Sequence, residues 1–242
     1  MFSFIWHTFF FDPIYNLLVF FIDVVRGGDV GVAIIATLVV VKMLLLPLSI
    51  KAAKTQRIMR EIEPKLKELK ELHKDNREAQ AREMMLLYKE AKLNPFASIF
   101  LVFLQIPIII ALYLSVSNGG GIALPAINTA LLYSFVPEPL LVSTNFLGLI
   151  DITGRSVLLA LGAGITQYIF TNMTLPKLAI REEGASSSFK EDFTRNMHVQ
   201  MKYVMPVVIA LIAYSISTAI ALYFLVSNLV AIAQEFYIKK HR

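Results

Sequence analysis

The sequence predicts an all-α, polytopic membrane protein with five transmembrane helices, an external amphipathic N-terminal helix and a cytoplasmic helical hairpin. The 242 residues are 56% hydrophobic and only 17% charged, and the mean hydropathy is +0.62, which is more apolar than a soluble domain of ordinary composition. Several apolar runs reach the roughly 20 residues that a helix needs to cross a bilayer. The lysines and arginines are confined to a few segments between these runs, which indicates the topology.

Five apolar segments are predicted to cross the membrane. Three of them are uninterrupted runs of spanning length. The fourth run, residues 203–237, would measure about 50 Å as one helix at 1.5 Å per residue, well beyond a single crossing. We therefore predict that this run breaks near Ser215 to Thr218 and forms two short spans. The predicted spans are residues 29–50, 95–116, 155–175, 201–216 and 217–238.

The basic residues orient these spans. Lysines and arginines are frequent from Lys51 to Lys92 and absent from Leu93 to Gly154. Because basic loops stay in the cytoplasm, the segment 51–94 is predicted to be cytoplasmic and the loop 117–154 external. The N-terminus is then outside and the C-terminus inside, and the missing transit peptide favours a bacterial plasma (inner) membrane. The other segments predicted to be cytoplasmic are residues 176–200 and 239–242.

Residues 1–28 are predicted to form the external amphipathic helix, lying in the membrane interface. Asp12 and Pro13 suggest a capped helix start, and apolar residues recur at helical spacing after them. Because Asn16, Asp23 and Arg26 lie off this apolar stripe, an interfacial position is favoured over a sixth span.

Residues 51–94 are predicted to form a charged hairpin of two helices. Apolar residues share one face of the first helix, and Asp75 with Glu78 forms a capping pair for the second.

Two small-residue stretches are predicted to be loops. Gly119–Gly121 belongs to the external loop, and Gly184–Ser188 is typical of a flexible linker in the cytoplasm.

Residues typical of catalysis or metal binding are missing or scattered. The chain has no cysteine, and no Gly-x-x-x-x-Gly-Lys nucleotide motif occurs. The apolar runs contain no Asp or Glu except Glu235, at the cytoplasmic end of the last one, which disfavours a proton relay. We therefore predict neither enzymatic activity nor a cofactor or metal site. The four histidines, which are dispersed over different loops, are His7, His73, His198 and His241.

Lys42 is the residue that is most costly to place in a membrane. It lies inside the first span, nine residues before Lys51, so its Cα is about 13 Å along the helix from the cytoplasmic end. A lysine near the bilayer centre costs about 2.5–3.5 kcal/mol on insertion scales. Snorkelling is the simple alternative, but the side chain reaches only about 6 Å. We therefore favour a water-filled cavity, open to the cytoplasm, in which Lys42 attracts acidic guests.

Polar side chains from the other spans are predicted to line this cavity together with Lys42. In transmembrane helices, Ser, Thr, Asn and Gln also form hydrogen bonds between helices, and the sequence leaves this alternative open for each of them. The candidates are Gln105, Thr166, Gln167, Ser227 and Asn228.

Short motifs along the chain follow one another in a characteristic order and spacing. They are KMLLLPLSIK at residues 42–51, LYK at 87–89, NP at 94–95, QIPI at 105–108, MKYVMP at 201–206 and LYFLVSN at 222–228. Each motif is loose by itself, but together they cover most of the chain from about Asp12. In this combination the sequence resembles the YidC/Oxa family of membrane protein insertases.

The resemblance implies a five-span insertase and chaperone whose spans enclose a hydrophilic groove, open to the cytoplasm and to lipid and closed on the outside. Lys42 stands where the family usually has arginine, which keeps the charge but not the planar fork for carboxylates. Phe224 stands where the family usually has tryptophan. The groove residues implied or predicted are thus Lys42, Gln105, Gln167, Phe224, Ser227 and Asn228.

The resemblance also implies partners. These are nascent membrane proteins and the lipid bilayer, with the ribosome and a Sec-type translocon as further candidates, and no specific nucleic-acid sequence is expected.

Two other function classes stay open. One is a small anion or solute transporter that uses Lys42 as an anion site, although no internal repeat typical of transporters is evident. The other is a non-catalytic assembly scaffold.

Overall fold

The computed structural model describes residues 2–91, 96–118, 121–175 and 196–240. These residues are mostly helical, with one short antiparallel hairpin in which Asn145 pairs with Asp151 and Phe146 with Ile150. The predicted linker Gly184–Ser188 lies outside the described residues. The elements are α1 (Phe2–Trp6), a π-helical turn (His7–Phe11), α2 (Asp12–Val24), α3 (Val30–Leu72), α4 (Arg77–Glu90), α5 (Phe96–Ser117), a 3₁₀ turn (Thr129–Leu131), β1 (Asn145–Phe146), β2 (Ile150–Asp151), α6 (Val157–Thr174), a π-helical turn (Gln200–Val204), α7 (Met205–Ile216) and α8 (Thr218–Lys240).

Five helical stretches are long and apolar enough to cross a membrane, which confirms an all-α, polytopic membrane protein. The first of them, Ser3–Val24, is the segment that the sequence assigns to the interface, so its position in the membrane remains a prediction. The predicted span 95–116 corresponds to α5, which has 22 residues. Its part Phe103–Ser117 is an apolar helix shorter than these five stretches. The five stretches are Ser3–Val24, Val30–Met59, Val157–Thr174, Asn196–Ile216 and Thr218–Ile238.

The chain forms two compact units. The first contains Met1–Met43 and Pro107–Arg242, and the second contains Leu44–Ile106. The second unit holds α3 from Leu44 onward, the helix α4 and the beginning of α5.

The first predicted span and the first helix of the predicted hairpin form one continuous helix. α3 has 43 residues and contains both Pro47 and Pro64. The residues after Ile50 are mostly lysine, alanine, arginine and glutamate, which are strong helix formers, and no glycine interrupts them. The change of composition at residue 51 therefore marks a change of environment and not the end of a helix.

Two predicted helix caps are wrong. Asp12 is the first residue of α2 and not its cap, because the chain is helical from Phe2 onward and passes through the π-helical turn into α2. Its carboxylate Oδ1 instead lies 2.8 Å from His7 Nδ1. The cap of α4 is Asn76 and not Asp75, since the Asn76 side chain accepts a hydrogen bond from the backbone N–H of Ala79 at 3.0 Å. Asn and Asp cap helices about equally well, so the sequence could not separate these neighbours.

The apolar run 203–237 is divided into two helices. α7 ends at Ile216, Ser217 has an extended backbone with φ −168°, and α8 begins at Thr218. Both helices pack against α6, where small residues bring the backbones close. A Cβ added at Gly164 would lie 3.0 Å from the Ala210 Cβ and 3.1 Å from the Pro206 carbonyl oxygen. Glycine at position 164 is thus required by the contact between α6 and α7.

Candidate functional site

The loop between α5 and α6, described from Gly121 to Arg155 and called the α5–α6 loop below, is tied to the start of α3. The Ser143 N–H donates to the Gly28 carbonyl at 2.8 Å, and the Val30 N–H donates to the Ser143 carbonyl at 3.0 Å. Gly28 has φ +64°, and a Cβ there would collide with the Leu141 carbonyl. The glycine therefore permits both the turn into α3 and the close approach of the loop.

Asp29 connects the same loop to α3 through its carboxylate. Oδ1 accepts hydrogen bonds from the N–H groups of Gly31 at 2.8 Å and Val32 at 3.1 Å, and Oδ2 accepts one from the Leu147 N–H at 2.7 Å. The first two bonds cap the N-terminus of α3, where a negative charge is also favoured by the helix dipole. The third bond holds the turn between β1 and β2.

We expect Asp29→Ala to lower the free energy of unfolding by about 1–3 kcal/mol, since it removes the helix cap and a charge-assisted bond to the loop. Asp29→Asn keeps the acceptor and should lose less. Unfolding in mixed micelles, followed by circular dichroism, measures the difference. Asp23→Ala removes an equal charge from an exposed position and serves as the control. Equal stability of Asp29→Ala and the parent would contradict the role of this carboxylate.

The α5–α6 loop also covers the start of α8. The Thr218 N–H donates to the Gly154 carbonyl at 2.8 Å, and the Ala219 N–H donates to the Ile152 carbonyl at 3.1 Å. Ile152 is fully buried. The first N–H groups of a helix have no partner inside the helix. The two loop carbonyls accept hydrogen bonds from two of these N–H groups, which lipid could not do.

The third helix attached to this loop is α2. Asn16, which is buried, donates from Nδ2 to the Leu131 carbonyl at 2.9 Å and accepts from the Tyr133 N–H at 2.6 Å. The Tyr15 hydroxyl accepts from the Asn128 N–H at 2.8 Å. Burial, and secondarily the negative charge of Asp12, raise the pKa of Tyr133, so this hydroxyl stays protonated and neutral near the carboxylate.

Within the first unit, burial falls along α3 with distance from the α5–α6 loop. Val30, Ala33, Ile34 and Leu38 are buried, and Leu38 is only 1% exposed, whereas Met43 is 66% exposed. Lys42 lies at this transition and is partly exposed. α8 has the same gradient, because residues 217–223 are buried while Leu229 and Phe236 are exposed. The first unit is thus tightly packed on the loop side and more open at the depth of Lys42 and beyond.

The predicted groove residues have different environments. Gln105 belongs to the second unit and the others to the first. Gln167 is half-buried and donates from Nε2 to the Thr171 hydroxyl at 3.2 Å, one turn along α6. Phe224 and Ser227 on α8 are half-buried as well, and the Phe224 ring meets the ring of Tyr223 edge-on, with centroids 5.5 Å apart.

Asn228 connects two helices. It is 7% exposed, and its Nδ2 lies 3.3 Å from the Ala163 carbonyl oxygen and 3.3 Å from the Thr166 hydroxyl oxygen, both on α6. Thr166 in turn donates to the Gly162 carbonyl at 2.8 Å. This is the interhelical role that the sequence left open for polar residues in spans, and such bonds contribute about 0.6 kcal/mol each. The contact holds α8 against α6.

Sequence reasoning missed the polar residues that hold the loop side closed. Asn16 looked like a surface residue of an amphipathic helix, and Asp29 was treated as the first residue of a span. A signal for Asp29 exists, since an Asp directly before an apolar run, after two glycines, is typical of a helix N-cap. Asn16 has no such signal because its partners lie more than 100 residues away. In the described residues no group of His, Asp and Glu could hold a metal ion.

The fold defines a polytopic, all-helical membrane protein in which α2, α3 and α8 are all hydrogen-bonded to the α5–α6 loop. The profile of the family described as 60Kd inner membrane protein matches residues 21–242. The chain therefore belongs to this family, and the resemblance to YidC/Oxa proteins is confirmed. The family and its bacterial members identify a multi-pass protein of a bacterial inner membrane.

Relatives of known name match most of the chain. The membrane protein insertase YidC of Clostridium tetani is 30% identical over 210 residues, 87% of this chain and 81% of the relative. Membrane protein insertase YidC 1 of Halalkalibacterium halodurans is 28% identical, over 97% of this chain and 79% of the relative. The membrane protein insertase YidC of Syntrophobacter fumaroxidans is 29% identical over 98% of this chain, which spans only 39% of that relative.

Proposed function

We propose that this protein is a non-enzymatic membrane protein insertase and chaperone. Polar segments of nascent membrane proteins enter a hydrophilic groove from the cytoplasm, and their apolar helices then leave the groove into lipid. The relatives named insertases support the activity. The observation that carries the groove is the burial gradient along α3 and α8, from closed at the α5–α6 loop to open around Lys42.

The groove lowers the cost of moving a polar segment through hydrocarbon. An unsatisfied polar group in hydrocarbon costs several kcal/mol, so water and polar side chains in the cytoplasmic half of the bilayer shorten the costly distance. Lys42 attracts acidic residues of the client, and Gln167 and Ser227, which belong to the same unit as Lys42, offer further hydrogen bonds. Asn228 contributes by holding α8 against α6.

In this proposal the α5–α6 loop closes the external end, the N-terminus is external and the C-terminus is cytoplasmic. The middle of the helical stretch Ser3–Val24 is hydrogen-bonded to this loop through Asn16. A loop outside the bilayer can reach the middle of a helix that lies in the interface, but not the middle of a helix that spans the core. This contact supports an interfacial position for α2.

The charged hairpin receives the client or a partner in the cytoplasm. α4 buries none of its side chains, and its exposed Met85 and Leu86 offer adaptable apolar contacts. The ribosome and a Sec-type translocon are candidate partners.

Reconstitution tests the function against the transporter and scaffold alternatives. Purified protein in lipid vesicles should insert a purified single-span client that empty vesicles do not insert. Flux of a small anion without insertion would favour a transporter. Neither activity would favour a scaffold, and complementation of cells depleted of their own insertase should fail in both of these cases.

The topology gives a separate prediction. The chain has no cysteine, so Ser134→Cys and Ser187→Cys each create a single site for a membrane-impermeant maleimide. We expect Ser134→Cys to react from the outside of intact cells and Ser187→Cys only after the membrane is opened. Reaction of both from the same side would contradict the five-span arrangement.

A further inference from the structure

The α5–α6 loop exposes large apolar side chains in a pattern that a water-facing loop does not need. Leu140 is 96% exposed, Leu149 85% and Phe135 75%, and Leu141 and Leu147 are also exposed. Other apolar side chains of the same loop are buried, for example Val136 and Ile152. The loop thus buries part of its apolar surface and still exposes several leucines, which marks an interaction surface.

One of these side chains is held in an unfavourable backbone conformation. Leu147 has φ +52°, a region that residues with a Cβ rarely adopt. The Leu147 N–H is fixed by Asp29 Oδ2, and Gly148 follows with φ +71°. In the turn between β1 and β2, the exposed Leu147 and Leu149 therefore flank Gly148.

The hydrogen bonds of the loop limit how far these leucines can lie from the membrane. Leu141 is two residues from Ser143, which bonds to Val30 at the start of α3, and Leu149 is three residues from Ile152, which bonds to Ala219 near the start of α8. Two or three extended residues span at most about 7–10 Å. The interfacial layer on each side of the hydrocarbon core is about 5–8 Å thick. The backbones of Leu141 and Leu149 therefore lie within about 10 Å of loop residues bonded near the starts of α3 and α8, a distance comparable to the thickness of this layer.

The surface is continuous with a lipid-facing one. α6 begins at Val157, directly after the loop, and Val157, Leu158 and Leu161 are exposed apolar residues of a span. α2, which is bonded to the same loop, exposes Phe20 and Val24. The charged residues of the loop are Glu138, Asp151 and Arg155, so its net charge does not favour an acidic protein partner.

We propose that the α5–α6 loop docks on the outer leaflet, with Leu140, Leu149 and Phe135 inserted among the acyl-chain ends and headgroups. The apolar area removed from water holds the closed end of the bundle at a fixed depth. Tyr133, whose ring centroid is 5.5 Å from that of Phe135, adds an aromatic ring of the kind enriched at membrane interfaces. This surface is separate from the proposed insertion activity, and its test does not use that activity.

The test uses nitroxide labels on single cysteines in the full chain, reconstituted in vesicles of phosphatidylethanolamine and phosphatidylglycerol. Leu140→Cys and Leu149→Cys are compared with Glu138→Cys and Asn145→Cys, which are exposed polar positions of the same loop. We expect the two leucine positions to collide several-fold more often with oxygen than with a water-soluble nickel chelate. The two control positions should show the opposite preference.

Two results would overturn the proposal. Labels at both leucine positions that prefer the nickel chelate would show that water covers this surface. Labels that are shielded only at high protein density, and become water-exposed when the vesicles are diluted with lipid, would show that a second copy of the chain covers it. Equal melting temperatures of the four labelled proteins ensure that the comparison concerns folded protein.

Discussion

Lys42→Ala and Lys42→Glu are expected to impair insertion of clients with acidic external segments and to spare otherwise identical neutral clients. Two opposite charges about 4 Å apart attract by between about 1 kcal/mol in bulk water and about 4 kcal/mol at the effective dielectric of a protein surface. A loss of even 1 kcal/mol lowers a binding equilibrium about fivefold, and Lys42→Glu should lower it further by repulsion. Lys42→Arg keeps the charge and should retain activity.

The measurement is insertion of paired clients that differ only in their external acidic residues, in vesicles that contain equal amounts of each variant. Lys42→Met is the matched control, because it keeps much of the stem without the charge. Full activity of Lys42→Met toward acidic clients would assign Lys42 a packing role. If Lys42→Ala and Lys42→Glu treat acidic and neutral clients as the parent protein does, the electrostatic role of Lys42 is wrong.

Replacement of Glu61–Lys89 by a short Gly-Ser linker should leave a folded membrane bundle and reduce insertion toward the level of empty vesicles. The folded bundle is expected because α4 buries none of its side chains and Leu66 is the one buried residue between Glu61 and Lys89, so the deletion removes little packed apolar area. The loss of insertion is expected because the hairpin is the proposed receiving surface for clients. Thermal unfolding and client insertion are measured on the same preparations.

Lys67→Ala gives a matched control within the deleted segment. Lys67 Nζ lies 3.0 Å from Glu63 Oε1, and both side chains are largely exposed, so this ion pair contributes at most about 1 kcal/mol. We expect Lys67→Ala to insert clients normally. Normal insertion by the deletion variant as well would reduce the hairpin to a solvated appendage.

Much of the architecture could be predicted from the sequence because a bilayer imposes simple rules on it. Apolar runs of about 20 residues indicate spans, and this rule is enough to predict an all-α polytopic protein. The length of the run 203–237 excludes a single crossing, and the structure has two helices there, separated at Ser217. Lys42 can be singled out by hydropathy as well, because a charged residue within an apolar run is costly to place in hydrocarbon whatever the arrangement of the other spans.

The local ends of helices were harder to predict. The sequence places a boundary at residue 51, but α3 continues to Leu72, because helix formation by lysine, alanine and glutamate does not depend on whether lipid or water surrounds the helix. Asp12 and Asp75 were assigned as caps from composition alone. A cap depends on which backbone N–H its side chain reaches, and this is decided by the conformation of the preceding residues.

The sequence by itself was enough to predict the class of protein, to indicate candidate spans and to single out Lys42 as a lysine within an apolar run. Only the tertiary structure decided that Asn228 bonds to α6, and that Asn16 and Asp29 attach α2 and α3 to one loop. The physical reason is distance along the chain. Hydropathy and charge act residue by residue and can be read locally, whereas a buried polar side chain is explained by its partner, and these partners lie 62 to 118 residues away.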